Sequence, residues 1–126
     1  MMDESQLLKG ILEGCVLCII AKGETYGYEI LSQLEKEGFE DLGEGTLYPI
    51  LTRLDKKGFV LCRKAKSPLG PIRKYYSITE SGKDNLERFK EAYIQIMRKA
   101  NKILFTDGIQ LEAMKEVLIE GGDGRC

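Results

Sequence analysis

The sequence predicts a mainly α chain carrying one β-hairpin, an α+β fold, and three observations predict it. Apolar residues recur at offsets of three and four in three successive stretches before residue 58. Two runs rich in β-branched and aromatic residues then flank a segment of turn formers. A fourth and longer stretch keeps heptad spacing. Three helices followed by a hairpin within about 75 residues is the order of a winged helix-turn-helix. The expected organisation is a winged helix-turn-helix DNA-binding domain at 1–79, a dimerisation helix at 80–105, and a short amphipathic helix with a frayed tail at 106–126.

The first helix is expected over 5–22. Leu7, Leu8, Ile11, Leu12, Cys15, Val16, Cys18, Ile19 and Ile20 give it a wide apolar side, and Gly23 ends it. Thr25 is a candidate cap for a second helix near 26–37 that turns Ile30, Leu31 and Leu34 inward and closes at Gly38. The third, near 46–57, buries Leu47, Ile50, Leu51 and Leu54 and ends at Gly58. With Thr46 as its cap, Pro49 falls in the first turn, where the missing N–H has no intrahelical partner to lose. Strands are expected at 59–64 and 73–79, joined by a long tip at 65–72 that holds Pro68, Gly70 and Pro71. Thr79 caps the fourth helix, about 25 residues and near 37 Å long at 1.5 Å per residue. Its positions Leu86, Phe89, Tyr93, Ile96, Ala100 and Ile103 are spaced 3, 4, 3, 4, 3, a seam suited to a second subunit. Packing on its own domain is the alternative for that seam. Thr106, Asp107 and Gly108 break the helix, Leu111, Met114 and Leu118 suggest a short amphipathic one, and the chain is expected to fray from Gly121.

Composition narrows the function. Hydrophobic residues make up 43% and charged residues 31%, an ordinary globular mixture, and the 126 residues fit one domain. The longest apolar run, Cys15 to Ala21, is too short to cross a bilayer, and the acidic start is unlike a signal peptide, so a cytoplasmic protein is expected. Cys15 and Cys18 form a lone Cys-x-x-Cys inside an apolar helical run, and the chain has no His. Reduced thiols packed in the core are the expectation, against metal or redox chemistry; no metal and no cofactor are expected. No acid–base pair, activated nucleophile or phosphate-binding glycine loop points to an enzyme.

The net charge of −1 hides a segregation. Residues 1–42 carry 3 basic and 9 acidic side chains, residues 43–79 carry 8 and 2, and residues 80–126 carry 8 and 9. All the positive excess lies in the central third, which is either a phosphate-binding footprint or a solvated basic face. With its leucines inward, the third helix must turn Thr46, Tyr48, Pro49, Thr52, Arg53 and Lys56 outward. Hydroxyls suit phosphate oxygens, and Arg53 could fork onto guanine O6 and N7. Lys64, Lys66, Arg73 and Lys74 place four cations on the hairpin, where a wing would follow the backbone.

These residues carry a resemblance. Thr25-Tyr26-Gly27-Tyr28-Glu29-Ile30, then Gly45-Thr46-Leu47-Tyr48-Pro49-Ile50-Leu51-Thr52-Arg53-Leu54, Gly58, and Arg73-Lys74-Tyr75-Tyr76-Ser77-Ile78-Thr79-Glu80-Ser81-Gly82 resemble the PadR family of transcription regulators, as does the opening Leu7-Leu8-Lys9-Gly10-Ile11-Leu12. The motifs cover residues 7–82 in order; the single long helix and short length resemble the smaller subfamily. The resemblance implies a repressor that dimerises through its first and last helices, which brings Leu7, Leu8 and Ile11 into the interface beside the seam. It implies that Tyr26, Tyr28, Thr46, Tyr48 and Pro49 lie at or near DNA. It also implies a flat aromatic effector at the dimer interface, for which Tyr93, with Phe89, Ile96 and Met97 nearby, is the candidate in a chain without Trp; packing along the seam is the competing role of Tyr93. The expected function is therefore a homodimeric repressor on a palindromic operator, with double-stranded DNA, its own second copy and a small aromatic effector as partners. The rival readings are a winged-helix module that binds protein, and a thiol or metal sensor.

Overall fold

The computed structural model describes residues 4–105. The elements run α1 (Glu4–Ala21), β1 (Thr25–Tyr26), α2 (Gly27–Lys36), α3 (Glu44–Lys56), β2 (Val60–Lys66), β3 (Ile72–Ile78) and α4 (Glu80–Leu104). The three strands form one antiparallel sheet in the order β1-β3-β2. The chain divides into two compact units, residues 1–87 and 88–126, so the first takes in the opening of α4 and ends eight residues beyond the boundary expected at 79. The short helix and tail expected at 106–126 lie outside the described residues.

The core of the first unit is what the helical periodicities predict. Leu12, Val16, Leu17 and Ile20 of α1, Ile30 and Leu34 of α2, and Leu47, Ile50, Leu51 and Leu54 of α3 are buried together with Val60, Tyr76 and Leu86. Burying a side chain of this size contributes roughly 1.5–3 kcal/mol, so this cluster fixes how α3 is presented.

Helices α2 and α3 end in the same way. Leu34-Glu35-Lys36-Glu37-Gly38-Phe39 and Leu54-Asp55-Lys56-Lys57-Gly58-Phe59 place Gly38 and Gly58 at positive φ, 99° and 78°. The amide of Phe39 donates to the Leu34 carbonyl and that of Gly38 to Glu35; Phe59 donates to Leu54 and Gly58 to Asp55 in the same pattern. Each ending is a Schellman cap, with a half-buried Phe packed on the core just after the left-handed glycine. The caps set the exit of both helices and so the spacing between α3 and β2.

Three sequence expectations are corrected at helix starts and in the hairpin. Thr25 does not cap α2: it is buried in the two-residue strand β1, its hydroxyl donates to Glu29 at 2.8 Å, and Tyr26 occupies the cap position without a side-chain bond. Periodicity cannot reveal a strand of two residues. Helix α3 begins two residues early, after Gly43, so Thr46 is inside it, its amide bonded to the Gly43 carbonyl. Pro49 is thus past the first turn, and having no N–H it leaves the carbonyl of exposed Gly45 without the usual intrahelical donor. The hairpin strands start and stop one residue from expectation at the core end and reach further into the tip, to Lys66 and Ile72, where the amides of Ser67 and Gly70 close the turn onto Pro71 and Ser67.

The start of α4 follows expectation and adds a lock. Thr79 Oγ1 accepts from the Gly82 amide at 3.0 Å, an N-cap bond. The Thr79 and Ser81 hydroxyls reach the Gly58 carbonyl at 2.7 and 2.9 Å, and the Thr79 amide donates to Phe59. Gly82 is the point of closest approach: a Cβ there would stand 2.0 Å from the Phe59 carbonyl oxygen. Thr79-Glu80-Ser81-Gly82 is therefore a docking device for the capped end of α3.

Candidate nucleic-acid interface

The sheet has a buried and an outer face, and strand alternation assigns side chains to them. Thr25, Tyr76 and Cys62 lie in line across β1, β3 and β2 on the buried face. The hairpin continues beyond the core. There Lys64 stands directly opposite Lys74, and Lys66 opposite Ile72, on that same side of the ladder. Like charges opposite one another on a ladder destabilise it. No acid partners Lys64, Lys66 or Lys74 among the described residues.

A cleft of about 540 Å³ opens between this part of the hairpin and the N-terminal ends of α2 and α3. Tyr26, Tyr28 and Tyr48 line it, facing Ile72, Arg73 and Lys74, with Glu44 the one acid in its wall. Tyr28 is 77% exposed and Tyr48 43%. The Tyr48 hydroxyl lies against Gly27, where a Cβ would come within 3.1 Å of it. The tyrosines and two of the wing cations singled out by sequence thus share one concave surface.

The outward side of α3 adds Thr46, Pro49, Thr52 and Lys56, all exposed. Arg53 is elsewhere. It lies five residues after Tyr48, about 140° further round the helix, on the flank facing α1. Its Nε is 3.6 Å from Glu13 Oε1, and Lys57 Nζ approaches the same oxygen at 3.8 Å. That oxygen is buried and accepts no hydrogen bond. Tyr48 and Arg53, both expected on the outward side of α3, are therefore separated: Tyr48 lines the cleft, and Arg53, still exposed, pairs with Glu13 of α1.

The outer face of the sheet carries residues that sequence reading did not single out. Arg63 donates from Nε and Nη2 to the two carboxylate oxygens of Glu24, each at 2.7 Å. This hydrogen-bonded pair pulls the Glu24 carboxyl below its ordinary pKa and pushes the Arg63 guanidinium above its own. Arg63 also covers the Tyr75 ring at 4.9 Å, Tyr75 meets Tyr26 edge-on at 5.6 Å, and Arg73 covers Tyr26 at 4.5 Å. Glu24 and Arg63 are 39 residues apart, so only the strand order could have paired them.

Of the residues expected at a dimer interface, Leu7 is exposed and Leu8 and Ile11 are half-buried. Leu86 is buried in the core of its own unit and has little surface to offer a partner. Phe89 and Ala100 are half-buried, whereas Ile96 and Ile103 are exposed. The rings of Phe89 and Tyr93 stack at 6.2 Å with Met97, half-buried, one helical turn on. Cys15 and Cys62 carry free, half-buried thiols, and burial raises the pKa of Cys15; Cys18, expected to be reduced, is not a free thiol. No cluster of metal-ligating side chains occurs among the described residues, and no helix among them is long and apolar enough to cross a membrane.

Comparison with known proteins places these features in a family. Residues 16–88 match the sequence profile of the Transcriptional regulator PadR-like family. A crystal structure of a PadR-like transcriptional regulator from Bacillus cereus is 44% identical, covering 79% of this chain and 97% of that one with a TM-score of 0.68. A transcriptional regulator from Streptococcus is 40% identical over 78% of this chain and 96% of its own, also with a TM-score of 0.68. An uncharacterized protein of Lysinibacillus sphaericus is 30% identical across its full length and 86% of this chain.

Proposed function

The chain belongs to the PadR-like family of transcriptional regulators, and from that premise we propose that it is a repressor that binds a palindromic operator as a homodimer. The cleft and the adjoining wing are the surface that takes the DNA backbone. One observation carries this: Lys64 and Lys74 stand opposite each other on the hairpin, with Lys66 on the same side and no acid among the described residues to neutralise them. A ladder that holds like charges together gains when an anion joins them, and a phosphate beside the wing is such an anion. Tyr28 and Tyr48 add hydroxyl donors, and Thr46, Thr52 and Lys56 extend the surface along the outward side of α3.

Dimerisation is proposed through Leu7, Leu8 and Ile11 of α1 and through Phe89, Tyr93, Ile96, Ala100 and Ile103 of α4. The exposed Ile96 and Ile103 support it, since apolar side chains at heptad spacing call for a partner face. Two recognition helices would then enter successive major grooves about 34 Å apart. The stacked Phe89 and Tyr93 rings, with Ile96 and Met97, are the proposed seat of a flat aromatic effector that releases the operator.

The test is the salt dependence of binding to the DNA upstream of the chain's own gene. Three phosphates neutralised per subunit give a log–log slope of about −5 for the dimer. A slope near zero, or no binding at low salt, refutes the proposal in favour of a protein-binding role.

A further inference from the structure

The outer face of the sheet carries a row of side chains that the phosphate-facing surface does not explain. Glu24 leaves the turn after α1, just before β1, and Arg63 stands on β2; β3 lies between those strands. Their two-bonded pair therefore reaches over the central strand. Beneath it, Arg63 covers Tyr75, its direct cross-strand partner. Tyr75 is in turn the ladder partner of Tyr26, and the rings meet edge to face at 64°. The row ends with Arg73 lying over Tyr26 at 4.5 Å, at the lip of the cleft.

Among the described residues, Arg63 is the wing cation in this row whose fork is taken by an acid of its own chain. Held by both carboxylate oxygens, it stays over the Tyr75 ring and limits where that ring can move. That ring limits where Tyr26 can stand, and the Tyr26 ring is the platform on which the Arg73 guanidinium rests. An arginine already held on a ring face loses less rotamer freedom when it meets a phosphate or a base edge.

We propose that Glu24 and Arg63 are positioning residues for Arg73: they act through Tyr75 and Tyr26 to hold the Arg73 guanidinium ready at the mouth of the cleft. The inference rests on the DNA-facing reading of that cleft and names how one of its cations is aimed. Glu24 itself never touches DNA.

The proposal makes a prediction opposite in sign to bulk electrostatics. Glu24→Gln removes a negative charge from the neighbourhood of the wing and releases Arg63 as an extra free cation. Both changes, by charge alone, tighten binding to a polyanion. Positioning demands the reverse. Affinity is measured by fluorescence anisotropy with a labelled duplex of the upstream DNA, for the full chain, Glu24→Gln, Arg63→Lys, Arg73→Ala and the Glu24→Gln/Arg73→Ala double variant. The expected result is that Glu24→Gln weakens binding by about two- to five-fold, the range of an exposed cation–π contact. Arg63→Lys, which keeps the charge and loses the fork, weakens it to a similar degree. In the Arg73→Ala background, Glu24→Gln produces no further weakening. A Glu24→Gln variant that binds as tightly as the parent or more tightly overturns the inference, as does a weakening that persists without Arg73. Absence of DNA binding by the parent chain would instead remove the DNA reading and this inference with it, so the two failures are distinguishable.

Discussion

Replacing Gly82 by Ala sets two physical effects against each other at one atom. Helix propensity alone favours the change by up to about 1 kcal/mol, because Gly is the poorest helix former after Pro. The structure opposes it. The new methyl would lie 2.0 Å from the Phe59 carbonyl oxygen and 2.8 Å from Ile78 Cγ1, so the start of α4 must retreat by about 1.4 Å to reach ordinary contact. The Thr79 and Ser81 hydroxyl bonds to the Gly58 carbonyl, now at 2.7 and 2.9 Å, would then stretch beyond hydrogen-bonding range. Losing these two bonds costs about 2 kcal/mol, and residual overpacking about 1 more. Against the propensity gain the net is a loss of about 2 kcal/mol, roughly thirty-fold in the folding equilibrium. Urea unfolding followed by far-UV circular dichroism, at one fixed protein concentration for parent and variant, reads this directly. A Gly82→Ala protein as stable as the parent, or more so, would refute the account of how α4 is docked.

Three further outcomes follow from the same geometry. Lys64→Gln should raise the stability of the free protein by about 0.2–1 kcal/mol through relief of the charge opposite Lys74, while lowering the magnitude of the salt slope by about one per subunit; thermal melts and binding isotherms at several salt concentrations check the two halves, and a variant that loses stability contradicts the first. Gly27→Ala should leave the melting temperature unchanged or higher, since it sits in the first turn of α2, yet weaken DNA binding, because its new methyl would stand 3.1 Å from the Tyr48 hydroxyl and push it aside by a few tenths of an ångström; unaltered affinity would remove Tyr48 from the interface. Tyr76 gives a pH signature. Burial first, and then the neighbouring Cys62, push its phenol up to about 12 from an ordinary value of 10.0. The unfolded chain therefore releases that proton first, so this contribution to stability is complete below about pH 10 and is lost as pH rises toward about 12. Tyr76→Phe should flatten the part of the alkaline stability loss that belongs to this residue, seen as a smaller fall in the urea midpoint between those pH values, and an identical fall in both proteins would contradict it.

What could be read from sequence divides by range. The core of the first unit was legible because Leu47, Ile50, Leu51 and Leu54 obey a periodicity that burial alone imposes. The Thr79 cap was legible because a hydroxyl just before a heptad stretch has few other uses. Starts of α2 and α3 were misplaced because Thr25 and Thr46 satisfy a cap pattern that tertiary pairing overrides: Thr25 is claimed by the sheet, and Gly43 opens α3 without any side-chain bond. Arg53 was set beside Tyr48 because periodicity separates the inward leucines from the exposed remainder of α3 and does not divide that remainder. Its ion pair with Glu13 joins residues 40 positions apart and depends on the crossing of α1 and α3. Glu24 and Arg63 escaped notice for the same reason. The sheet order β1-β3-β2 brings them together, and β1 is only two residues long.

These pairings change the electrostatic argument more than the fold. The central third of the chain has eight cations, and counting them suggests a broad phosphate-binding face. Arg53 and Lys57 lie against Glu13, and Arg63 is bound to Glu24, so three of the eight are matched to acids from the acidic first third. The segregation seen in sequence is partly undone by folding. What remains is Lys56 on α3 and Lys64, Lys66, Arg73 and Lys74 on the wing, so the surplus lies on the hairpin rather than along α3. Surface ion pairs stabilise by only about 0–1 kcal/mol each, too little to account for the fold. Their larger consequence is selection: Glu13 offsets one of the two charges of Arg53 and Lys57, and Glu24 offsets Arg63, which leaves most of the positive potential where the hairpin meets the cleft. Charge-removing substitutions on the wing should therefore reduce the salt slope more than Arg53→Ala does. An Arg53→Ala variant with the larger reduction would show that its pairing with Glu13 gives way when DNA is present.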